Sequence, residues 1–496
     1  MTNKRSQEFK GSFISFIRLK LRMMLERGKL SKENHDWLAN SRTEFLAVIS
    51  MTLLATLMRL YKLGTWSYWI DEAHTIECAQ GTLFTSEPMA YFYPINFLIT
   101  SVFLKAFGTS EFSARLFAAI MGIAVVPIIY FFVRMIFDRK VALLSALFVV
   151  LSPWHLDWSQ NARHFSPVFL LVTVSSLSFF LALERNRWKL MIVSLISILL
   201  AILTHPSAGF MIPTYLAYVI LLHFLPFEKP AGLTKRNILI FFSPFALAFL
   251  VALPKFGKLF VYLIEGKTAW NPPSNVFMSI VYYLEVPFIC VSLAAALFLL
   301  LEKDRRGLFL SLFITVPVIL LLIASTITIA SGAYALITLL PHAIVASFGC
   351  TELMKALKER QKIFGLAIIV LLIMNFAAND FLYYRYQNGN RPRWKEAINF
   401  VKERMADDDA VFASAGNIAE IYLNQGKNVR WLERFDPQDI GTNRRTWFLV
   451  FKGSGDLLPV KEEVKDFVEK KCKFLKEFDV NTSVKMREID VYVYQR

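Results

Sequence analysis

"SEFSARLFAAIMGIAVVPIIYFFVRMIFDRKVALLSALFVVLSPWHLDWSQNARHFSPVFLL", Ser110 to Leu171, decides how this chain is read. An apolar run over 112–133 meets the basic loop "RMIFDRK" (134–140), and a second apolar run follows over 141–158. Each run has about the 17–25 residues that carry a helix across a bilayer. A short loop rich in Lys and Arg between two such runs marks the cytoplasmic side.

The pattern recurs along the chain. Further spans are predicted at 44–62, 166–184, 189–204, 207–226, 237–254, 278–301, 308–330, 333–351 and 363–380, about eleven crossings in all. With residues 1–43 in the cytoplasm, the other cytoplasmic loops become "ERNRWK" (184–189), "FEKPAGLTKR" (227–236), "EKDRR" (302–306) and "KALKERQK" (355–362). All are basic, as the charge rule requires, and the C-terminal region falls outside the cytoplasmic (inner) membrane. "MAYFYPINFLITSVFLKAF" (Met89–Phe107) breaks this parity if it crosses. Pro94 and Asn96 weaken it as a plain span, so it is read as a re-entrant or interfacial helix, or a shallow hairpin.

Composition agrees with a polytopic α-helical membrane protein. Of 496 residues, 55% are apolar and 19% charged, and the mean hydropathy is +0.45. The net charge of +16 sits largely in the loops, so topology explains it and a nucleic-acid partner is not implied. The four cysteines, Cys78, Cys290, Cys350 and Cys472, are scattered and make no CxxC or disulfide framework. Residues 1–43 carry ten Lys/Arg against four Asp/Glu. Within them "FISFIRLKLRMML" (13–25) resembles a helix lying on an anionic leaflet, and no cleavable signal peptide is expected.

After Asp380 the periodicity changes. "WKEAINFVKERM" (394–405), "NIAEIYLNQG" (417–426) and "PVKEEVKDFVEKK" (459–471) have helical spacing. "DAVFASA" (409–415), "NVRWLE" (428–433), "RTWFLVFKG" (445–453) and "REIDVYVYQ" (487–495) read as strands. A small extracytoplasmic α/β domain over 390–496 is expected, after a transmembrane domain over 44–380. It carries no Gly-rich phosphate loop.

The outer loops gather the ionisable residues. The first, "WSYWIDEAHTIECAQG" (66–81), holds Asp71, Glu72, His74 and Glu77 beside Trp66 and Trp69, and its far end holds Glu111 and Arg115. "SPWHLDWSQNARHFSP" (152–167) adds His155, Asp157, Gln160, Arg163 and His164. "THPS" adds His205, and the loop over 255–277 adds Lys255, Lys258 and Lys267. Singly, each has an ordinary explanation: helix capping for Asp71, snorkelling for Arg163, lipid phosphates for the lysines, an aromatic belt for the tryptophans. Their convergence on one membrane face is less ordinary, because ionisable groups at membrane depth are costly. A carboxylate there can act as general base towards an acceptor hydroxyl or amine, and cations can hold a phosphate leaving group. A divalent metal on Asp71, Glu72 and His74 is a minor option, without a supporting ligand spacing.

Taken together, "IDEAHTIECAQG", "YFYPINFLI", "SARLFAAIMGIAVVPIIY", "LSPWHLDWSQNARHF" and "RWKEAINFVKERMADDDAVFAS" resemble, in order and spacing, the GT-C membrane glycosyltransferases related to protein O-mannosyltransferases and the lipid A aminoarabinose transferase. The resemblance implies a glycosyltransferase moving a sugar from a polyprenyl-phosphate-linked donor to a protein, lipid or glycan acceptor outside the cytoplasmic membrane. It implies Asp71 as catalytic base, Glu72 as an orienting partner, and Arg115 and Arg163 as organisers of the site or donor phosphate. His205 falls near a family "TH", and Gln160 joins the candidate substrate contacts. This chain also departs from the family pattern. "HPP" is reduced to "FYP", "EARMY" to "NARHF", and Ala333 stands where many members have an Arg, so Lys255, Lys258 or Lys267 is expected to substitute. The alternative is a non-catalytic relative or a transporter of lipid-linked or envelope precursors. A transporter would show inverted repeats and mid-membrane sites, and neither is visible.

Overall fold

A computed structural model describes residues 37–81, 94–255, 272–423, 428–436, 445–452, 461–480 and 490–496, with three isolated positions between 256 and 271. The basic helix expected over 13–25, the start of the 89–107 segment, Lys258, Lys267 and the side chain of Lys255 lie outside the described residues.

The helices follow the apolar runs. In chain order they are α1 (Trp37–Leu60), α2 (Ile70–Gln80), α3 (Pro94–Phe107), α4 (Glu111–Ile136), α5 (Arg139–Val150), α6 (Pro153–Ser159), α7 (Phe165–Arg185) and α8 (Trp188–Thr204). Then come α9 (Met211–Phe224), α10 (Lys235–Ala252), α11 (Pro273–Leu284), α12 (Val286–Leu301), α13 (Arg305–Ile327), α14 (Leu339–Ala356) and α15 (Lys362–Arg385). Polar residues between the runs start them. Ser110 and Ser113 exchange side-chain and backbone bonds in a capping box at α4, and Asp138 accepts the Val141 N–H at α5.

Seven of the described helices are long and apolar enough to cross a membrane, and nine if two bent pairs each count once. The chain is a multi-pass membrane protein. Two of the expected spans are interrupted. The run over 141–158 bends by 57° between α5 and α6, and that over 278–301 by 89° between α11 and α12. Each break sits beside a proline near a helix start, Pro153 and Pro287. The expected spans over 189–204 and 237–254 are α8, of 17 residues, and α10, of 18. Residues 94–107 form α3, whose 14 residues are too few to cross.

Two helices, α7 and α14, form the buried centre, while α1 and α15 lie at the edge with Leu53, Leu57, Leu366 and Leu371 exposed. Such outward apolar side chains suit contact with lipid tails. Close approaches in the centre use small residues: Gly122 on α4 packs against Ser159 and Ser166, leaving no room for a side chain.

Among the described residues the C-terminal part is a five-stranded sheet of order β2-β1-β3-β5-β4. Its strands are β1 (Ala410–Ala413), β2 (Asn428–Trp431), β3 (Thr446–Lys452), β4 (Lys473–Phe478) and β5 (Asp490–Gln495). Parallel β2, β1 and β3 are in register Ala410↔Asn428 and Ala410↔Thr446, and antiparallel β5 pairs Leu449↔Val493. Helices α16 (Trp394–Lys402) and α17 (Gly416–Leu423) cover one face through Trp394, Ile398 and Ile418, which meet Val411, Leu449 and Val493. Helix α18 (Glu462–Lys471) covers the other through Val464 and Val468 against Phe412 and Phe448. Strand β4 is an addition to the sequence reading. It is an edge strand, mostly exposed, and "KFLKEF" carries too much charge to stand out as a strand.

Gly389 joins the membrane part to this sheet. Its φ is +62°, and a Cβ there would lie 2.5 Å from the Trp66 ring. Gly389→Ala is therefore expected to lower stability by about 1–3 kcal/mol, through both backbone strain and overpacking. Gly108→Ala, at φ +77° but with nothing within 4 Å, should cost only the backbone part, about 1 kcal/mol. Thermal unfolding of the two purified variants measures the difference.

Candidate active site

Helix α2 is built to separate two neighbouring carboxylates. Asp71 and Glu72 fall in its first turn, where the helix dipole favours negative charge. Consecutive helical residues point about 100° apart. Glu72 therefore turns into the protein and is fully buried, whereas the Asp71 side chain stays 44% exposed.

Glu72 meets Arg115 of α4 in a bidentate pair. Arg115 Nε donates to Glu72 Oε1 and Nη2 to Oε2, both at 2.7 Å. Its remaining N–H groups go to the Leu63 and Trp66 carbonyls at 3.0 Å each and to the Ser67 carbonyl at 2.8 Å. All five guanidinium donors are thus committed. The Ala162 N–H donates to Glu72 Oε1 at 2.8 Å, and Arg391 Nε reaches Oε2 at 3.4 Å. Burial opposes the charge on Glu72. Arg115 and then Arg391 outweigh it, with the Arg115 and Ala162 hydrogen bonds adding, and hold this carboxyl down at about 2.

Arg391 was not singled out in the sequence. It lies in "NGNRPRW" (388–394), after the last apolar run, and only its place beside Gly389 and Pro392 hints at a fixed conformation. It is buried, donating from Nη2 to the Gln160 carbonyl at 2.6 Å and from Nη1 to the Gly389 carbonyl and the Tyr383 hydroxyl. Other residues beyond α15 hold the turn that leads into α2 and the first residue of α4. The Tyr422 hydroxyl accepts the Tyr68 N–H at 2.9 Å and donates to Glu111 at 2.9 Å. Lys395 pairs with Glu111 at 2.9 Å, and the Lys395 N–H donates to Ser67 Oγ at 3.0 Å. Ala73 is buried in the same apolar cluster as Trp394 and Ile418.

Asp71 faces a looser group. Arg163 Nη2 is 3.5 Å from Asp71 Oδ2, and its Nη1 donates to the Asp71 carbonyl at 3.4 Å and Thr75 Oγ1 at 3.3 Å. Its Nε has no hydrogen-bond partner among the described residues. Behind it, the His164 and His205 rings stack with centroids 3.7 Å apart and planes 4° apart, and Tyr334 packs on His205 at 4.9 Å. Burial first, and then His205 and Arg163, push His164 well below the ordinary imidazole value. Burial and Arg163 bring His205 to about 3. Both rings are neutral at pH 7, so Arg163 is the cation of this corner among the described residues.

The other sequence candidates have definite places. Gln160 is buried: its amide donates to the Met58, Arg59 and Tyr61 carbonyls, and its Oε1 accepts from the Tyr383 hydroxyl at 3.0 Å. It braces the end of α1 and shows no open face. His155 bonds Arg59 at 2.9 Å inside the helix bundle. His74 lies along its own helix near Glu77 and Cys78, 3.7 and 3.6 Å away. Among the described residues no three His, Cys, Asp or Glu side chains are grouped to hold a metal ion. The trio Asp71, Glu72 and His74 does not fit one, because Glu72 is taken up by arginines and a backbone N–H.

Removing one partner of a buried ion pair strands the other. Glu72→Ala is expected to cost about 3–5 kcal/mol of stability, read as a large drop in thermal unfolding temperature. The sign of the pH effect follows from the lowered Glu72 value. Its contribution is complete above the unfolded carboxyl value of 4.5 and is lost as pH falls towards about 2. Wild-type protein should lose this contribution over that window, and Glu72→Gln should lack that part of the pH dependence.

Comparison with known proteins agrees with this architecture. Residues 86–252 match the family of dolichyl-phosphate-mannose-protein mannosyltransferases. An uncharacterized protein of Aquifex aeolicus (strain VF5) is 27% identical over 374 residues, 69% of this chain and 70% of that protein. ArnT from Cupriavidus metallidurans, solved bound to undecaprenyl phosphate, superposes with a TM-score of 0.57 at 11% identity, over 90% of this chain and 97% of that one. The oligosaccharyltransferase of Archaeoglobus fulgidus superposes with a TM-score of 0.54 at 13% identity, over 76% of this chain and 63% of that one. In fold, then, this multi-pass membrane chain is similar to ArnT and to the archaeal oligosaccharyltransferase, and its residues 86–252 resemble the protein mannosyltransferase family.

Proposed function

We propose that the protein is a membrane glycosyltransferase that moves a sugar from a polyprenyl-phosphate carrier to an acceptor on the outer side of the cytoplasmic membrane. The observation that carries this reading is the pairing of half-exposed Asp71 with under-coordinated Arg163, on a helix whose neighbouring carboxylate is locked inside. The family match over 86–252 supports glycosyl transfer, and the ArnT structure with undecaprenyl phosphate supports the carrier class.

In this mechanism Asp71 takes the proton from an acceptor hydroxyl or amine as that atom attacks the anomeric carbon. The bond from the anomeric carbon to the phosphate oxygen breaks, and the carrier leaves as a polyprenyl phosphate with one more negative charge. Arg163, whose Nη groups make only contacts of 3.3–3.5 Å, can tighten its bonds as that charge develops, which makes its interaction stronger in the transition state than in the ground state. Glu72 and Arg115 do not touch the substrate in this reading. They are positioning residues, because their hydrogen-bonding capacity is used within the protein. Lys255, Lys258 and Lys267 remain proposed contacts to the donor phosphate, from the loop following α10. The acceptor reaches the site from the external face or from the lipid layer.

Asp71→Asn is expected to lower transfer by about 10²–10⁴-fold without changing thermal stability. Arg163→Ala should lower it by about 10²–10³-fold, with Arg163→Lys partly restoring it. The assay is transfer from a radiolabelled polyprenyl-phosphate sugar by purified protein in proteoliposomes. Undiminished transfer by Asp71→Asn would reject the assignment.

A further inference from the structure

A second concave site, with a lining other than the Asp71 and Arg163 corner, lies where α11 and α12 meet at 89° against the end of α15. Its cavity has a volume of about 340 Å³, in the range of small-ligand sites. Glu285 forms the corner. Its φ of +65° is a strained conformation for a residue other than glycine, and such strain persists only where the surroundings hold it. Asn379 donates to its carboxylate at 2.6 Å. One residue further along α15, the Asp380 carboxyl is buried and has no hydrogen-bond partner among the described residues. Gln387 and Asn390 complete a polar wall, and Tyr282 and Tyr283 make an aromatic one. Tyr283 is fixed by stacking on Trp154, with centroids 5.4 Å apart and planes 8° apart.

The lining selects a ligand by charge. Among the described residues it contains no Lys, Arg or His, so a phosphate headgroup would meet no cation there. Amides and a carboxylate opposite aromatic faces suit a hydroxyl-rich ring, whose edges hydrogen-bond while its apolar face packs on tyrosine. The rim carries exposed Met278 and Val286, where α12 begins its apolar run, so the entrance is open to lipid tails. We propose that this cavity binds the uncharged sugar headgroup of a membrane-anchored glycolipid. Asp71 is not among the described residues that line it. The cavity adjoins the network around Glu72 through Tyr383, which bonds both Gln160 and Arg391, and through Asn390, which precedes Arg391 and donates to Asp157 at 3.4 Å.

The test uses the full-length protein in nanodiscs made from an equimolar mixture of monoglucosyl diacylglycerol and phosphatidylglycerol with matched chains. Native mass spectrometry after release then reads which lipid is retained. Wild type should retain the glucosyl lipid with roughly tenfold enrichment. Glu285→Gly removes the carboxylate at a backbone angle that glycine prefers, and Tyr282→Ala trims a partly exposed ring, so both should fold. Each should bring the ratio to about one, whereas Asp71→Asn should keep the enrichment whether or not it abolishes transfer. Equal retention of the two lipids by wild type, a preference for phosphatidylglycerol, or an enrichment that survives both cavity variants would overturn the proposal.

Discussion

The buried pair between Glu72 and Arg115 is the constraint on which the rest of the site depends. In a low-dielectric interior neither charge is tolerable alone, so each needs the other and a full set of hydrogen bonds. Arg115 meets that need by gathering the carbonyls of Leu63, Trp66 and Ser67, the turn that leaves the first long helix. Glu72 meets it by drawing in the Ala162 N–H from the distant loop after α6. One ion pair thus ties together three segments far apart in sequence. Because α2 is rigid between adjacent residues, fixing Glu72 inside also fixes Asp71 outside.

That helix is held from two sides. The bundle grips it through Arg115 and the Ala162 N–H, and the segment beyond α15 holds Glu72 through Arg391 and the turn that leads into the helix through Lys395 and Tyr422. The small sheet is therefore more than an appendage to the membrane part. Ala73, two residues from Asp71, packs into the same cluster as the helices that cover the sheet. A general base, the role proposed for Asp71, has to be held within about half an ångström of its productive position, and an exposed loop alone seldom does so. Burying one face of α2 under the sheet's helices supplies that rigidity while leaving Asp71 open.

Much of this was legible in the sequence because hydropathy and charge act locally. Apolar runs and basic loops gave the helices, and the alternation after Asp380 gave the sheet with all strands except the charged edge strand β4. The breaks at Glu285 and Leu151 were less visible, since an apolar run reads as one span unless the Val286–Pro287 and Ser152–Pro153 steps are given full weight as helix starts. What spacing could not do was divide labour among like residues. Only the family resemblance set Asp71 apart from Glu72, and nothing set Arg115 apart from Arg163. Only packing separates the carboxylate that is enclosed from the one that is exposed. Arg391 escaped notice for the same reason: nothing in "NGNRPRW" shows that a loop arginine ends beside a carboxylate 319 positions earlier in the chain.

The two pairs that packing separates also differ in what they can still do. Arg115 has no N–H left, so an arriving anion could bind it only by breaking a bond already made, and the net gain would be small. Arg163 is held by contacts of 3.3–3.5 Å and keeps an unpartnered Nε. Its neighbours do not compete, because the stacked His164 and His205 rings are neutral. A cation in that condition can strengthen its interactions as negative charge develops, which a saturated one cannot. The proposed mechanism uses both kinds of arginine within one site, one whose bonds are complete so that the helix does not move, and one whose bonds are incomplete so that a reaction has something to gain.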